Sequence, residues 1–350
     1  MVKKSFFRAI NEQRIISRGL PYKGSFEITY KCNYRCIHCS TSCDFSDKKE
    51  LSTASVFKIL KDIRDAGCLW LTITGGEPLI RKDFLDIYLY AKKMGFVITL
   101  LTNATLLDKK LITRLEKNPP LQVQLSILGV TENVYEKVSG VKGSFSRFRN
   151  GLSLLLKSDL RIGMLRMPLL KVNRHELFIA KDYARKLGID FDYYLYVDPT
   201  IIHEDRVMKQ GLSAEELVKV ELSDGLLDRW KQDYFCYKEG KSIKKCLFER
   251  VHRAFIINAF GEFNNTRRFP CIPLVFDLTK IKFSSAWKQY LAQAEQQVDS
   301  FDCVCKECEI FRFCYQCASH SVLSRQGSVF RDYHCQVTRA RLKALEEHFR

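Results

Sequence analysis

The sequence predicts an α/β fold: a parallel sheet with crossover helices, followed by a small cysteine-rich region. Three observations carry the prediction. Six apolar, β-branched or aromatic runs recur near Ser25–Tyr30, Leu69–Thr74, Phe96–Thr102, Leu121–Ile127, Ile162–Leu170 and Asp190–Val197. The stretches between several of them carry apolar residues at helical spacing and close on glycine. Nine cysteines then fall within the 100 residues from Cys236 to Cys335.

Strands alternating with helices imply right-handed crossovers and parallel pairing. Between the first two runs, Ser52 can cap a helix whose Val56, Ile59, Leu60 and Ile63 form one apolar face, closed by Gly67. Between the second and third, Phe84, Ile87, Tyr88 and Ala91 recur at helical spacing until Gly95. Late in the series, Ile179, Tyr183 and Leu187 ahead of Gly188 predict the same arrangement. Periodicity leaves open whether the six units wind doubly or curl into an open barrel. Ser213 caps the run from Leu212 to Leu217, a helix leading out of the series. Beyond Cys236, turns and short apolar runs suit a small domain held by metals rather than by a large core.

A chain of 350 residues, 46% hydrophobic, can bury one sizeable core and a smaller second module. No apolar run reaches the ~18 residues of a membrane span. The basic N-terminus, Met1 to Arg8, lacks the apolar stretch of a secretory signal. The expected location is the cytoplasm, where thiols stay reduced. Fourteen cysteines there argue for metal ligation rather than disulfides. The formal charge of +17 favours acidic partners. Lys and Arg are scattered, so a solvated basic surface ranks first, an acidic peptide partner second and nucleic acid last.

The chemistry concentrates at the ends of the predicted strands, where barrel active sites form. Cys32-x3-Cys36-x2-Cys39 follows the first run directly. Three thiolates so close can hold three corners of an iron–sulfur cube, leaving a fourth iron open to a substrate or cofactor. Zinc is the competing reading. Thr74-Gly75-Gly76-Glu77-Pro78 ends the second run. Its glycines let backbone approach a ligand, its exposed backbone groups can bond an ammonium, and Glu77 adds negative charge. Thr102-Asn103 closes the third run, with Asn103 able to cap its own turn, and Gln124 to Gly129 closes the fourth.

On these motifs the chain resembles the radical S-adenosylmethionine (SAM) superfamily. The resemblance implies a partial (β/α)6 TIM-like barrel over 22–210, after an N-terminal extension at 1–21. It implies a [4Fe–4S] cluster on Cys32, Cys36 and Cys39 that binds SAM at its open iron and cleaves it reductively. The resulting 5′-deoxyadenosyl radical takes hydrogen from an unactivated C–H bond. Gly75, Gly76, Glu77 and Pro78 would grip the methionyl amino group. His38 would flank the adenine, its alternative being an ordinary loop histidine. Ser126 would bond the ribose or carboxylate, and Asn103 joins the same set. Leu128 stands where many relatives carry Asp.

The later cysteines resemble the SPASM domain, with two auxiliary [4Fe–4S] clusters over 236–340. A linker helix at 211–235 would precede it and a helix end at 341–350 would follow. The family's interleaved arrangement assigns Cys305, Cys308, Cys314 and Cys335 to a distal cluster. Cys246, Cys271 and Cys317 would hold the proximal one, with Cys236 as fourth ligand. Without Cys236, that cluster has an open iron for a substrate thiolate. Two residues rather than three precede Cys317, and the segment from Gly261 to Cys271 is longer than usual. A zinc ribbon is the other reading of the central run. Loading three clusters would lower the charge to roughly +12. Cys43, Cys68 and Cys303 fit no pattern and read as ordinary small apolar or loop residues.

The stretch from Ser126 to Glu136, with Gly140 and Gly143-Ser144-Phe145, resembles SPASM enzymes that mature ribosomally made peptides (RiPPs). So does Cys314-Tyr315-Gln316-Cys317 followed by Cys335. The expected activity is therefore peptide maturation, a cross-link or related modification, with auxiliary clusters accepting an electron. An external donor such as flavodoxin or ferredoxin is implied. The 31 residues before Cys32 are too few for a winged-helix leader-binding domain. An acidic leader would then be read by the barrel, the SPASM face or a separate leader-binding protein. Formylglycine formation and haem biosynthesis share the scaffold, and a non-catalytic zinc-binding module is the alternative of another class. No side-chain acid or base stands out.

Overall fold

The structure is a computed structural model that describes residues 18–41, 48–197, 205–225, 227–240, 254–264, 274–299, 308–310, 313–314 and 329–349. Cys43, Cys246, Cys271, Cys303, Cys305 and Cys317 lie outside these residues.

Six parallel strands, β1 (Lys23–Thr29), β2 (Trp70–Gly75), β3 (Val97–Thr102), β4 (Gln122–Ser126), β5 (Ile162–Pro168) and β6 (Phe191–Tyr194), pair in consecutive order. A doubly wound sheet reverses direction partway through its strand order. Here the first six strands never reverse, so right-handed crossovers place all their helices on one side. The fold is therefore a partial barrel.

Alternation along each strand assigns its two faces. Phe26 and Ile28, Leu71 and Ile73, Ile98 and Leu100, and Val123 and Leu125 are buried in the main core. The intervening Glu27, Thr74, Leu101 and Ser126 face the other way and border a cavity. Helix α1 (Thr53–Asp65) begins at Ser52, whose side chain accepts from Ser55 N, and buries Val56, Ile59, Leu60 and Ile63 as its pattern requires. Helix α2 (Phe84–Lys93) likewise buries Phe84, Ile87, Tyr88 and Ala91. Helices α3 (Lys109–Glu116), α4 (Glu132–Ser139) and α5 (Ser144–Leu156) complete the crossovers as far as β5.

Helix α6 (Leu177–Lys186) corrects one expectation. It buries Leu177, Ala180 and Ala184, whereas Ile179 is 57% exposed. Ala180 and Ala184 are fully buried, Tyr183 and Leu187 pack partly buried against the core, and of the expected stripe only Ile179 is left outside.

The span from 211 to 235 holds two helices rather than one linker. Helix α7 (Ala214–Ser223) opens on a capping box between Ser213 and Glu216, and α8 (Leu227–Lys238) continues through Cys236. Strand β7 (Phe255–Ile257) then pairs in parallel with β1, and β8 (Glu262–Asn264) and β9 (Val275–Asp277) extend the same sheet antiparallel, giving nine strands. Phe255, Phe263, Phe283 and Trp287 seal this extension against helix α9 (Phe283–Asp299). The last helix, α10 (Val329–His348), starts well before 341. It contributes Leu342 and Leu345 to a second small core with Tyr234, Ile310 and Phe313. Among the described residues, no helix is long and apolar enough to cross a membrane.

Candidate active site

One cavity of about 310 Å³ opens at the C-terminal ends of the barrel strands. Its wall includes Cys32, Cys36, His38, Cys39, Gly75, Gly76, Asn103 and Ser126, together with Glu27, Leu128, Tyr194 and Tyr196. Seven of the residues expected at the site thus meet there along with His38, although they span almost 100 positions in sequence.

The cysteine loop is held by its backbone. Arg35 N donates to Ser139 O at 2.9 Å and Ile37 N to Val138 O at 3.1 Å, so the loop occupies the end carbonyls of α4. A helix leaves its last carbonyls without internal partners, and the loop supplies them. A Cβ on Gly140 would lie 2.6 Å from Arg35 O, so this docking excludes a side chain there. Tyr34 packs edge-on against Tyr135, with 6.3 Å between ring centroids, and is buried beneath the loop.

Burial pushes the Cys32 thiol up to about 11, with the charges of Glu77 and Cys39 adding to it. Burial and the charges of Cys39 and Cys32 also raise the Cys36 thiol well above its ordinary value. Three thiolates cannot coexist here without a cation to replace their protons. Soft sulfur donors bordering one cavity therefore fit an iron–sulfur cluster. Among the described residues, no three His, Cys, Asp or Glu side chains group as ligands of one ion.

The glycines of β2 have a cause visible in the backbone. Gly75 has φ +138, and a Cβ on it would lie 2.1 Å from Thr29 O. One on Gly76 would lie 2.3 Å from Lys31 O. Gly76 N donates to Thr29 O at 2.7 Å, and Glu77 N donates to Lys31 O at 2.9 Å. The pair thus passes against the chain that leads into Cys32, while its own backbone still borders the cavity.

Glu77 does not border the cavity. It is fully buried and accepts from Thr102 Oγ1 at 2.8 Å, Asn103 N at 2.7 Å and Leu79 N at 3.1 Å. Burial pushes its carboxyl up to about 7 against these donors. In this arrangement the side chain joins the ends of β2 and β3 and caps the 3₁₀ turn at Pro78–Ile80. Pro78, also buried and outside the cavity wall, starts that turn. Glu77→Ala would strand three buried donors, each costing about 1–3 kcal/mol. We expect thermal unfolding to show a large loss of stability for Glu77→Ala and a smaller one for Glu77→Gln, which keeps an acceptor oxygen.

Asn103 caps its own turn and also borders the cavity. Its Oδ1 accepts from Thr105 N at 3.0 Å and its Nδ2 donates to Asn33 Oδ1 at 2.8 Å. It therefore fastens the β3 turn to the cysteine loop. Ser126 is exposed to the cavity at the end of β4. Burial lowers the His38 imidazole to about 4; its Nε2 lies 3.3 Å from the Tyr194 hydroxyl, and its Nδ1 is buried without a hydrogen-bond partner.

Three further wall residues, Glu27, Tyr194 and Tyr196, stand in no motif. Glu27 accepts from Tyr30 Oη at 2.7 Å on the floor of the cavity. Tyr194, the last residue of β6, and Tyr196 just beyond it also border the cavity. Only the alternation of β1, with Glu27 between core Phe26 and Ile28, could have pointed to the first.

Of the later cysteines, Cys335 lies on α10 and Cys314 Sγ lies 3.7 Å from Thr338 Oγ1 of the same helix. Arg339 bonds Glu309 and lies within electrostatic reach of Cys308 and Cys335. Cys236 occupies α8, whose Trp230, Tyr234 and Tyr237 face the small C-terminal core. At 3.6 residues per turn, Cys236 lies about 120° round from that face.

Comparison with known proteins adds to this geometry. The family model described as the Radical SAM superfamily matches residues 26–183. A PqqA peptide cyclase of Bradyrhizobium diazoefficiens is 26% identical over 284 residues, covering 77% of this chain and 73% of the cyclase. An AdoMet-dependent heme synthase of Methanosarcina barkeri is 28% identical over 177 residues, half of each chain. The Streptococcus suis SuiB structure bound to precursor peptide SuiA superposes with a TM-score of 0.66 at 15% identity, covering 95% of this chain and 81% of SuiB. That likeness is one of fold.

Proposed function

This chain is a radical SAM enzyme by its residues 26–183, and from that premise we propose that it matures a peptide by hydrogen abstraction. Members of the superfamily bind a [4Fe–4S] cluster and SAM; the cluster ligands proposed here are Cys32, Cys36 and Cys39. The observation that carries the assignment is one cavity bordered by all three thiols, the Gly75–Gly76 backbone and the Ser126 hydroxyl.

When bound, the cluster supplies the electron that cleaves SAM to a 5′-deoxyadenosyl radical. The chain's own residues position and enclose. The α4 carbonyls and Gly140 fix the cysteine loop, and Asn103 fastens it to β3. Ser126 offers a hydroxyl and Gly75–Gly76 offer backbone groups to the bound molecule. The His38 and Tyr194 rings, 6.4 Å apart and both bordering the cavity, offer surface against which adenine can pack. Leu128 is apolar and excludes water from its side of the wall.

A peptide substrate is favoured by the extended likeness to the PqqA peptide cyclase, which runs through most of the chain. We assign the auxiliary ligands as Cys305, Cys308, Cys314 and Cys335 for one cluster and Cys236, Cys246, Cys271 and Cys317 for the other. The gathering of Cys308 and Cys314 around the helix of Cys335 supports the first set. The placement of Cys236 on another face of α8 supports its membership of the second. An external reductant such as flavodoxin or ferredoxin would supply the first electron. The heme synthase likeness favours a second reading, modification of a porphyrin side chain, but it covers half of this chain.

The test incubates anaerobically reconstituted enzyme with SAM, reductant and small peptides encoded beside the gene. The expected result is 5′-deoxyadenosine together with a peptide mass change and hydrogen transfer from a deuterated peptide. Deoxyadenosine without any peptide change across that set would count against the peptide reading, and turnover of a coproporphyrin would replace it.

A further inference from the structure

Tyr196, on the cavity wall, is tied to a buried ion pair that joins three C-terminal elements. Arg341 on α10 donates through Nε to Glu221 Oε2 at 2.7 Å and through Nη2 to Glu221 Oε1 at 2.5 Å. The two side chains are 8% and 3% exposed. Removing either partner of such a pair leaves the other charge buried and uncompensated. The guanidinium also lies over the Trp230 ring of α8, 4.4 Å from its centroid. Nη2 also donates to Tyr196 Oη at 2.6 Å, and Tyr196 is one of the residues that border the cavity. On the other side, the His334 ring packs 4.6 Å from the Tyr196 ring.

This geometry fixes more than the position of a ring. A phenol has one proton to donate and lone pairs to accept with. Arg341 carries only donors, so Tyr196 must accept from it, and the phenol proton is left for another acceptor. Burial raises the Tyr196 hydroxyl above its ordinary value, so that proton is retained at neutral pH. The bidentate pair with Glu221 holds the guanidinium plane and so holds the direction of that donor. The cavity it borders also contains the three thiols and Gly75–Gly76.

We propose that Arg341 is a positioning residue for the cofactor cavity: clamped by Glu221, it holds Tyr196 as a hydrogen-bond donor to an acceptor oxygen or nitrogen of bound SAM. The last helix of the chain thereby sets part of the binding site formed by the first. The proposal rests on the radical SAM reading of this cavity. It assigns to residues 145 positions apart a single function at one hydroxyl.

The test uses the full reconstituted chain, its Tyr196→Phe and Arg341→Gln variants and the double variant. Equilibrium dialysis gives the Kd for SAM, and reductant-driven deoxyadenosine formation without peptide gives KM and kcat. Tyr196→Phe removes the hydroxyl but keeps the ring, so it should fold normally. The expected result is a 3- to 10-fold weaker Kd and higher KM in each single variant, about one neutral hydrogen bond, with kcat within about two-fold. The double variant should be no weaker than the worse single, because both act through one hydroxyl. Unchanged Kd in Tyr196→Phe overturns the proposal, as do additive effects; Arg341 would then be a structural fastener only. Failure of the wild-type chain to bind or cleave SAM would instead overturn the radical SAM reading of the cavity.

Discussion

Cys32→Ala, Cys36→Ala and Cys39→Ala combined are expected to abolish SAM cleavage while leaving a folded protein with about eight of about twelve irons. The loss is expected to be total because no other thiol among the described residues borders the cavity. The fold should survive because the loop is anchored by atoms the substitution leaves in place. Arg35 N and Ile37 N keep the α4 carbonyls, and the Tyr34 ring keeps its seat against Tyr135. Alanine keeps each Cβ and removes one sulfur atom at the edge of a cavity that already exists, so it opens little new volume. On the ligand assignment proposed above, the remaining irons would sit on the later cysteines, of which Cys335 lies on α10 and Cys314 beside it. Iron and acid-labile sulfide analysis measures the step directly, and the broad absorbance near 400 nm should persist at reduced intensity. Retention of all twelve irons would mean that these thiols hold no cluster. Loss of every iron would mean that the clusters do not load independently.

The six strand–helix units were legible because the strands recur as apolar, β-branched or aromatic runs and the first helices carry regular stripes, whereas their closure into a partial barrel was implied only by the family resemblance of the motifs. The site was legible for a related reason. Its thiols and its glycines lie in two contiguous segments, and parallel strands bring all their C-terminal ends to one place. What local pattern missed depends on partners distant in sequence. Glu77 was singled out for its charge, yet its environment is decided by Thr102, Asn103 and Leu79. Gly75 and Gly76 suit the approach of a ligand, but the nearest obstacle to a side chain is backbone: Thr29 O of β1 for Gly75 and Lys31 O, just past β1, for Gly76. Tyr196 and Arg341 meet across 145 positions, and neither stands in any motif. In α6 the expected stripe is met only in part: Tyr183 and Leu187 pack against the core, whereas Ile179 lies outside and Ala180 and Ala184 are buried. Two alanines look neutral in a sequence pattern, yet both lie on the buried face.

Gly76→Ala is expected to cost about 3 kcal/mol or more and to remove the first cluster, although the change adds a single methyl. Gly76 does not have a left-handed φ, so backbone preference is not the cause. The cause is contact. The new Cβ would lie 2.3 Å from Lys31 O and 2.8 Å from Tyr30 O, both backbone atoms with no rotamer to change. Relief requires moving the segment from Tyr30 to Lys31, and Cys32 is its next residue. The same movement strains the bond from Glu77 N to Lys31 O, which holds the two strand ends together. Stability and cluster loading should therefore fall together. Gly188→Ala provides the contrast: Gly188 has φ +67 but open space around its Cβ, so the expected cost is only about 1–2 kcal/mol of backbone strain. Thermal unfolding of both variants, with iron content and SAM cleavage measured on the soluble fraction, tests the argument. A Gly76→Ala protein that unfolds like wild type and retains about twelve irons would show that the Tyr30–Lys31 segment can yield without disturbing Cys32.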